Sequence, residues 1–140
     1  IFRDADFVAE LEAEVDRHGL RDAFTFVPWV TEVASAYAAI DLHANCSSRE
    51  PFGRTTIEAA AFGVPTVCFS DGGAAEAIVD GETGQAVAPG DERALADAIV
   101  GFIGDPTRLA RAGAAARNSL GRFDARRHAE RVAGVLRAVA

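Results

Sequence analysis

The residues best suited to chemistry fall in one short segment, Glu50-Pro51-Phe52-Gly53-Arg54-Thr55-Thr56-Ile57-Glu58. A helix starting at Thr55 or Thr56 would turn its unpaired backbone N–H groups, and the positive end of its dipole, toward whatever occupies the crevice before it. A diphosphate is a natural guest for such a position. Gly53 has no Cβ and lets backbone approach a ligand closely, Arg54 can set a guanidinium against phosphate, and the hydroxyls of Thr55 and Thr56 can add hydrogen bonds. Glu50 precedes the helix and Glu58 falls in or near its first turn, so a carboxylate can stand on each side of the phosphate-facing amides. An ionised carboxylate accepts two hydroxyls at once, as the acidic residue of dinucleotide-binding folds does with a ribose. One carboxylate on a ribose, the other on a sugar and a diphosphate between them describe a nucleotide sugar. Two glutamates at this spacing also arise by chance, Glu58 then merely complementing the helix dipole and Glu50 being a solvated loop charge.

The elements that must position this segment alternate between short strand-like runs and helix-like stretches, the pattern of β-α repeats around a largely parallel sheet. Phe7, Val8, Leu11 and Val15 share a helical face that stops at Gly19. Phe24-Thr25-Phe26-Val27 reads as a strand closed by Pro28, and Thr31 is placed to cap a short helix carrying Val33, Ala34 and Tyr37. In the next strand Leu42, Ala44 and Cys46 alternate with Asp41, His43 and Asn45, so one face is less apolar than full burial requires. Its loop, Ser47 to Arg54, leaves a strand's carboxyl end and enters a helix, the place where open α/β sheets bind ligands. That helix ends before Gly63, and Thr66-Val67-Cys68-Phe69 follows as a buried strand. Gly72-Gly73 is a turn leading to a short helix with Glu76, Ile78 and Val79, and Gln85-Ala86-Val87 completes the sheet. Asp91, Asp105 and Asp124 each cap a helix. The first of these buries Leu95, Ala98, Ile99, Phe102 and Ile103, and the last turns Val132, Val135, Leu136 and Val139 toward the body.

Composition narrows the function classes. The 140 residues suit one compact core. A net charge of -7, with no stretch interleaving basic and aromatic residues, argues against nucleic-acid binding. All 14 positive residues are Arg, so a Walker A loop, a pyridoxal-phosphate Schiff base and a lysine-dependent aldolase all lack their amine. Cys46 and Cys68 sit in apolar runs without metal-ligand or redox spacing and read as reduced, buried thiols of a cytoplasmic protein. No apolar run is long enough to span a membrane, and the first residues do not form a secretory leader. The start on Ile1 suggests a piece of a longer protein. No metal cluster, Ser-His-Asp arrangement or G-x-G-x-x-G is legible. His43, a single His on a strand, reads as hydrogen-bonded structure, and His18 and His128 fall on helices away from the loop.

Three motifs in order carry a family resemblance across nearly the whole chain. Ser47-x-x-Glu50-Pro51-Phe52-Gly53 through Glu58-Ala59 is similar to an E-x7-E signature; Gly72-Gly73-x-x-Glu76 resembles the turn and helix after it; Asp80-Gly81-x-x-Gly84 with Pro89-Gly90-Asp91 resembles the last strand. Together they resemble the C-terminal domain of GT-B fold glycosyltransferases of family 4. The implied fold is α/β: a Rossmann-like parallel sheet with flanking helices, the truncated C-terminal half of a GT-B fold. Residues 1–140 would form part of the nucleotide-sugar (donor) binding domain, without its first strands and without the N-terminal acceptor domain.

By this resemblance Glu50 would hold donor-sugar hydroxyls, the backbone at Phe52, Gly53 and Arg54 would contact sugar and phosphate, Thr55 would approach the diphosphate, and Glu58 would bind the ribose. Trp29 and Val30, after the strand matched by Thr25 to Val27, would be candidates for base contact, Trp29 equally a packed loop aromatic. Glu50 and Arg54 would serve catalysis, with no metal or other cofactor required. The Arg and Lys that the family commonly sets against the diphosphate belong to a segment upstream of Ile1. The implied activity is transfer of a sugar from a nucleoside diphosphate sugar to a glycan, lipid or small-molecule acceptor, with retained anomeric configuration. The isolated chain would be inactive, and the intact protein cytoplasmic or membrane-peripheral through its N-terminal domain. Two other readings stay open: a non-catalytic nucleotide-sugar-binding fragment, and an epimerase or hydrolase of nucleotide sugars on the same fold.

Overall fold

The computed structural model describes residues 5–139, which form two compact units, one ending at Val33 and the other beginning at Ala34. In the first unit, helix α1, Ala5–Arg17, ends as its sequence dictates. Gly19 takes a φ of 64°, its N–H donates to the Asp16 carbonyl and the Leu20 N–H donates to the Val15 carbonyl, a Schellman termination. Arg21 then forks onto Asp16 with two hydrogen bonds of 2.6 Å. The strand expected at Phe24 to Val27 is not formed: the segment enters no ladder, and Phe24 and Phe26 instead meet ring to ring at 4.9 Å. Aromatic and β-branched content makes a segment fit for a sheet, but a strand exists only through its neighbours' hydrogen bonds. Helix α2, Val33–Ala38, begins after Glu32, so Thr31 is not its cap.

The second unit holds a three-stranded parallel sheet in the order β1-β2-β3, formed by His43–Asn45, Thr66–Phe69 and Gly84–Val87. Helix α3, Arg54–Ala61, connects β1 to β2, and α4, Gly73–Glu76, connects β2 to β3. Helices α5, Glu92–Ile103, and α6, Pro106–Asn118, lead through a 3-10 turn, Ser119–Phe123, to α7, Ala125–Ala138. This is the α/β class read from the sequence. The three aspartate caps form as expected: Asp91 accepts from the Ala94 N–H, Asp105 from Arg108 and Asp124 from Arg127, at 2.9, 2.9 and 2.8 Å.

Strand β2 is buried along its whole length, as a central parallel strand with both faces covered must be. Val67 and Phe69 pack with Val87 against Leu95, Ala98 and Phe102 of α5 and Ala112 of α6. Cys68 faces the other way, with Ala74 and Ile78. Ile103, expected in the core, is exposed.

Two further expectations reverse. On the edge strand β1 the polar residues, not the apolar ones, are the more buried: Asn45 is buried and His43 half-buried, while Ala44 and Cys46 are exposed. The polar face is the one whose hydrogen bonds are met. His43 Nδ1 lies 3.1 Å from Thr66 Oγ1, its register partner on β2, and Asn45 accepts from the Ser47 N–H at 3.0 Å. Helix α7 buries nothing, and Val132, Val135, Leu136 and Val139 are exposed. Periodicity identifies the apolar side of a helix without specifying what covers it.

Burial lowers the pKa of His43 below 6.5, so the folded state holds it neutral. The unfolded chain takes up this proton more readily, so the contribution is intact above about pH 6.5 and is lost as the pH falls through the folded pKa. Thermal unfolding between pH 7 and pH 5 should show a shallower loss of Tm for His43→Gln than for the parent chain. Parallel curves would remove this assignment.

Candidate functional site

The loop from Cys46 to Gly53 is shaped by its own polar groups before any ligand is considered. The Ser47 N–H donates to Asn45 Oδ1, Arg49 adopts the left-handed region at φ 52°, and the Gly53 N–H donates to Glu50 Oε1 at 3.2 Å. The Glu50 carbonyl accepts from the Gly73 N–H at 2.6 Å, tying this loop to the one that opens α4.

The two loops meet backbone to backbone, and only glycine permits it. A Cβ on Gly53, whose φ is 76°, would sit 2.6 Å from the Ala74 nitrogen; one on Gly73 would sit 2.5 Å from the Phe52 carbonyl carbon; one on Gly72 would sit 2.6 Å from the Glu50 nitrogen. The missing Cβ of Gly53 therefore makes room for Ala74, a different reason from the close ligand approach read from the sequence. The Gly72-Gly73 motif has the same cause.

Helix α3 starts at Arg54, one or two residues before the sequence-based boundary, with Gly53 as its N-cap. Gly53 offers no side-chain cap, and its carbonyl takes the N–H groups of Thr56 and Ile57. The amides of Arg54 and Thr55 are left without an acceptor among the described residues. They form an anion-ready helix start flanked by Glu50 in the loop and Glu58 one turn on.

The charged groups pair with one another and with their neighbours. Arg54 does not stand free for phosphate: its Nε lies 3.2 Å from Glu58 Oε1, and its side chain is 82% exposed. Glu58 Oε2 accepts from the Tyr37 hydroxyl at 3.2 Å, and the Thr55 carbonyl lies 3.2 Å from the same hydroxyl. Thr55 Oγ1 receives a long contact, 3.5 Å, from Asn45 Nδ2. Burial, then the charge and hydrogen bond of Glu58, push the Tyr37 phenol up to about 12. Two buried polar atoms have no partner among the described residues, Thr56 Oγ1 in the first turn of α3 and Asp71 Oδ1 between β2 and Gly72.

Phe52 projects outward, 62% exposed. It walls a cavity of about 340 Å3 with Arg122, Phe123, His128 and Arg131. His128, expected on a helix away from the loop, thus shares a cavity with it. His18 lies in the first unit, 3.0 Å from Glu14. Trp29 and Val30 also belong to the first unit, on a segment without regular structure, with Trp29 exposed. Glu50, Phe52, Gly53, Arg54, Thr55 and Glu58 are brought together in the second unit. Tyr37 is the neighbour that the sequence did not reveal, since no spacing rule links it to Glu58, 21 positions away. Among the described residues no three His, Cys, Asp or Glu side chains are grouped to hold a metal ion, and no helix is long and apolar enough to cross a membrane.

The Tyr37–Glu58 contact has a measurable consequence. Glu58→Gln removes a charge that disfavours the phenolate, so Tyr37 should ionise at lower pH, with the burial contribution remaining. Tyr37 is the only tyrosine, so phenolate absorbance after a rapid jump to alkaline pH reports it alone. An unchanged midpoint in Glu58→Gln would contradict the geometry.

Comparison with known proteins identifies the family of the chain. The sequence profile of the family described as glycosyl transferases group 1 matches residues 4–119. The chain is 39% identical over 110 residues, 77% of its length and 31% of the relative's, to a lipopolysaccharide core biosynthesis mannosyltransferase, LpsB, of Rhizobium meliloti. It is 39% identical over 90 residues, 64% of its length and 22% of the relative's, to a glycogen synthase of Mycobacterium tuberculosis. It spans between about a fifth and a third of the length of these curated relatives, 22–31%. Among solved structures, Anabaena HepE in complex with UDP superposes with a TM-score of 0.88 at 32% identity, covering 99% of this chain and 38% of that one. A sucrose-phosphate synthase of Thermosynechococcus elongatus gives 0.82 at 30% identity, over 94% of this chain and 34% of that one. With a parallel α/β unit, an anion-ready helix start and a family profile matched over most of its length, the chain belongs to the glycosyl transferases group 1 family.

Proposed function

We propose that residues 1–140 are the donor-binding part of a cytoplasmic GT-B glycosyltransferase that moves a sugar from a nucleoside diphosphate sugar to an acceptor, with retention of configuration. The observation that carries this reading is the pair of unpartnered amides, Arg54 and Thr55, at the start of α3 with carboxylates on either side. The diphosphate meets these amides, Glu50 holds hydroxyls of the sugar, and Glu58 holds the ribose. The crystal structures of HepE with UDP and with UDP-glucose support a uridine nucleotide as the first donor to test.

The chemistry follows from charge. As the glycosidic bond to phosphate breaks, negative charge grows on the diphosphate, and N–H groups aimed at that charge lower the barrier. A hydrogen bond to an ionised group contributes about 1.5–3 kcal/mol. Arg54 adds a full positive charge once it leaves Glu58. These groups need no metal to stabilise the leaving group. The incoming hydroxyl attacks on the face from which the diphosphate departs and passes its proton to the departing phosphate oxygen, so neither glutamate is a nucleophile. The acceptor is bound by an N-terminal domain of the same protein.

Calorimetry of this chain with UDP and GDP should show binding of at least one; heat from neither would leave only kinship of fold. In the full-length enzyme Glu50→Ala should lower kcat/KM by roughly 100-fold or more, about 2.7 kcal/mol of transition-state stabilisation. A rate near that of the parent enzyme would remove Glu50 from the site. Product analysis with and without acceptor separates transfer from hydrolysis or epimerisation.

A further inference from the structure

Tyr37 is held far more firmly than the carboxylate it touches. It is 8% exposed on α2, clusters with Ala59 and Val64, and stacks on Phe62 with ring centroids 5.8 Å apart and planes 17° apart. Its ring also meets His43 edge-on at 6.4 Å. Glu58 has a flexible side chain at the surface, 37% exposed. A phenol has one proton and here faces two acceptors, Glu58 Oε2 and the Thr55 carbonyl, each at 3.2 Å. The charge-assisted bond to the carboxylate is the stronger, and the carbonyl already belongs to the ladder of α3. With Oε2 fixed by an immobile donor, the carboxylate can turn only Oε1 outward. That oxygen now carries Arg54, in an exposed i,i+4 pair of the kind that contributes only about 0.3–0.5 kcal/mol.

We propose that Tyr37 is the positioning residue for Glu58: it anchors Oε2 so that Oε1 is presented to the ribose diol of the donor, which displaces Arg54 from Glu58 and frees it for the diphosphate. This rests on the donor reading above. The exchange balances charge at each step. The carboxylate trades a guanidinium for hydroxyl donors, and the guanidinium trades a carboxylate for phosphate. Ribose and diphosphate are therefore recognised together, because one ion pair must open for both.

The test uses this chain with UDP and GDP, each paired with its 2′,3′-dideoxy analogue, in calorimetric titrations. The parent chain should prefer the ribose form. Tyr37→Phe keeps the ring stack on Phe62 and loses only the hydroxyl; it should weaken the ribose form about fivefold, the size expected for one hydrogen bond, and leave the dideoxy form within about twofold. Adding Tyr37→Phe to Glu58→Gln should cause no further loss. A fall of equal size for both forms would make Tyr37 a packing residue and overturn the proposal, as would no fall at all. A parent chain that binds nucleotide without preferring the ribose form also overturns it, while leaving the diphosphate reading intact. Absence of any nucleotide binding overturns both. A measurement without substitutions uses the single tyrosine labelled with 13C at Cζ, whose one resonance should shift with the ribose form and stay in place with the dideoxy form. Equal shifts with the two forms would count against the anchor.

Discussion

The close contact of two loop backbones, residues 49–53 against 72–74, is the constraint on which the candidate site depends. Gly53, Gly72 and Gly73 each lack the Cβ that would collide with the opposite chain, and the Gly73 N–H closes the contact on the Glu50 carbonyl. The contact fixes where the β1 loop turns, and so where α3 begins and which way its free amides point. It also joins the crossover after β1 to the crossover after β2, whose strands are neighbours in the sheet. Any side chain at these positions would shift backbone rather than a rotamer, and interiors packed at crystal-like density have little room for that.

Around this frame each charged group has a polar partner within the chain. Arg54 leans on Glu58, Glu58 leans on Tyr37, and Glu50 bonds the Gly53 N–H of its own loop. None of these contacts is deeply buried apart from the tyrosine, so screening keeps them weak and exchangeable. The cost of holding the site ready is small. The rigid partner is the neutral one, and its aromatic anchorage gives a flexible carboxylate a defined direction.

Away from the site, apolar surface is unevenly covered. The sheet is enclosed by α5 and α6 on one side and by α4 on the other, whereas the stripe of α7 lies open among the described residues. The cavity between Phe52 and the start of α7 brings Arg122, His128 and Arg131 near the candidate donor loop, although they are 70 or more positions away in a chain of net charge -7.

Local chemistry was legible in the sequence: three aspartate caps, the Gly19 termination and the α3 start flanked by two glutamates depend on neighbours within about five positions, and the continuous apolar run of β2 marks it as a buried strand from its own composition. The parallel α/β class followed from the alternation of these elements. Four features were decided only by tertiary structure, each because it depends on a distant partner. Phe24 to Val27 has strand composition but no ladder to join. The exposed and buried faces of β1 are set by hydrogen bonds to Thr66 and to the loop, which outweigh hydropathy. Gly53 and Gly73 are required by one another's backbones, not by anything local. Tyr37 reaches Glu58 because α2 and α3 pack around Ala59 and Val64, and sequence spacing carries no trace of that contact.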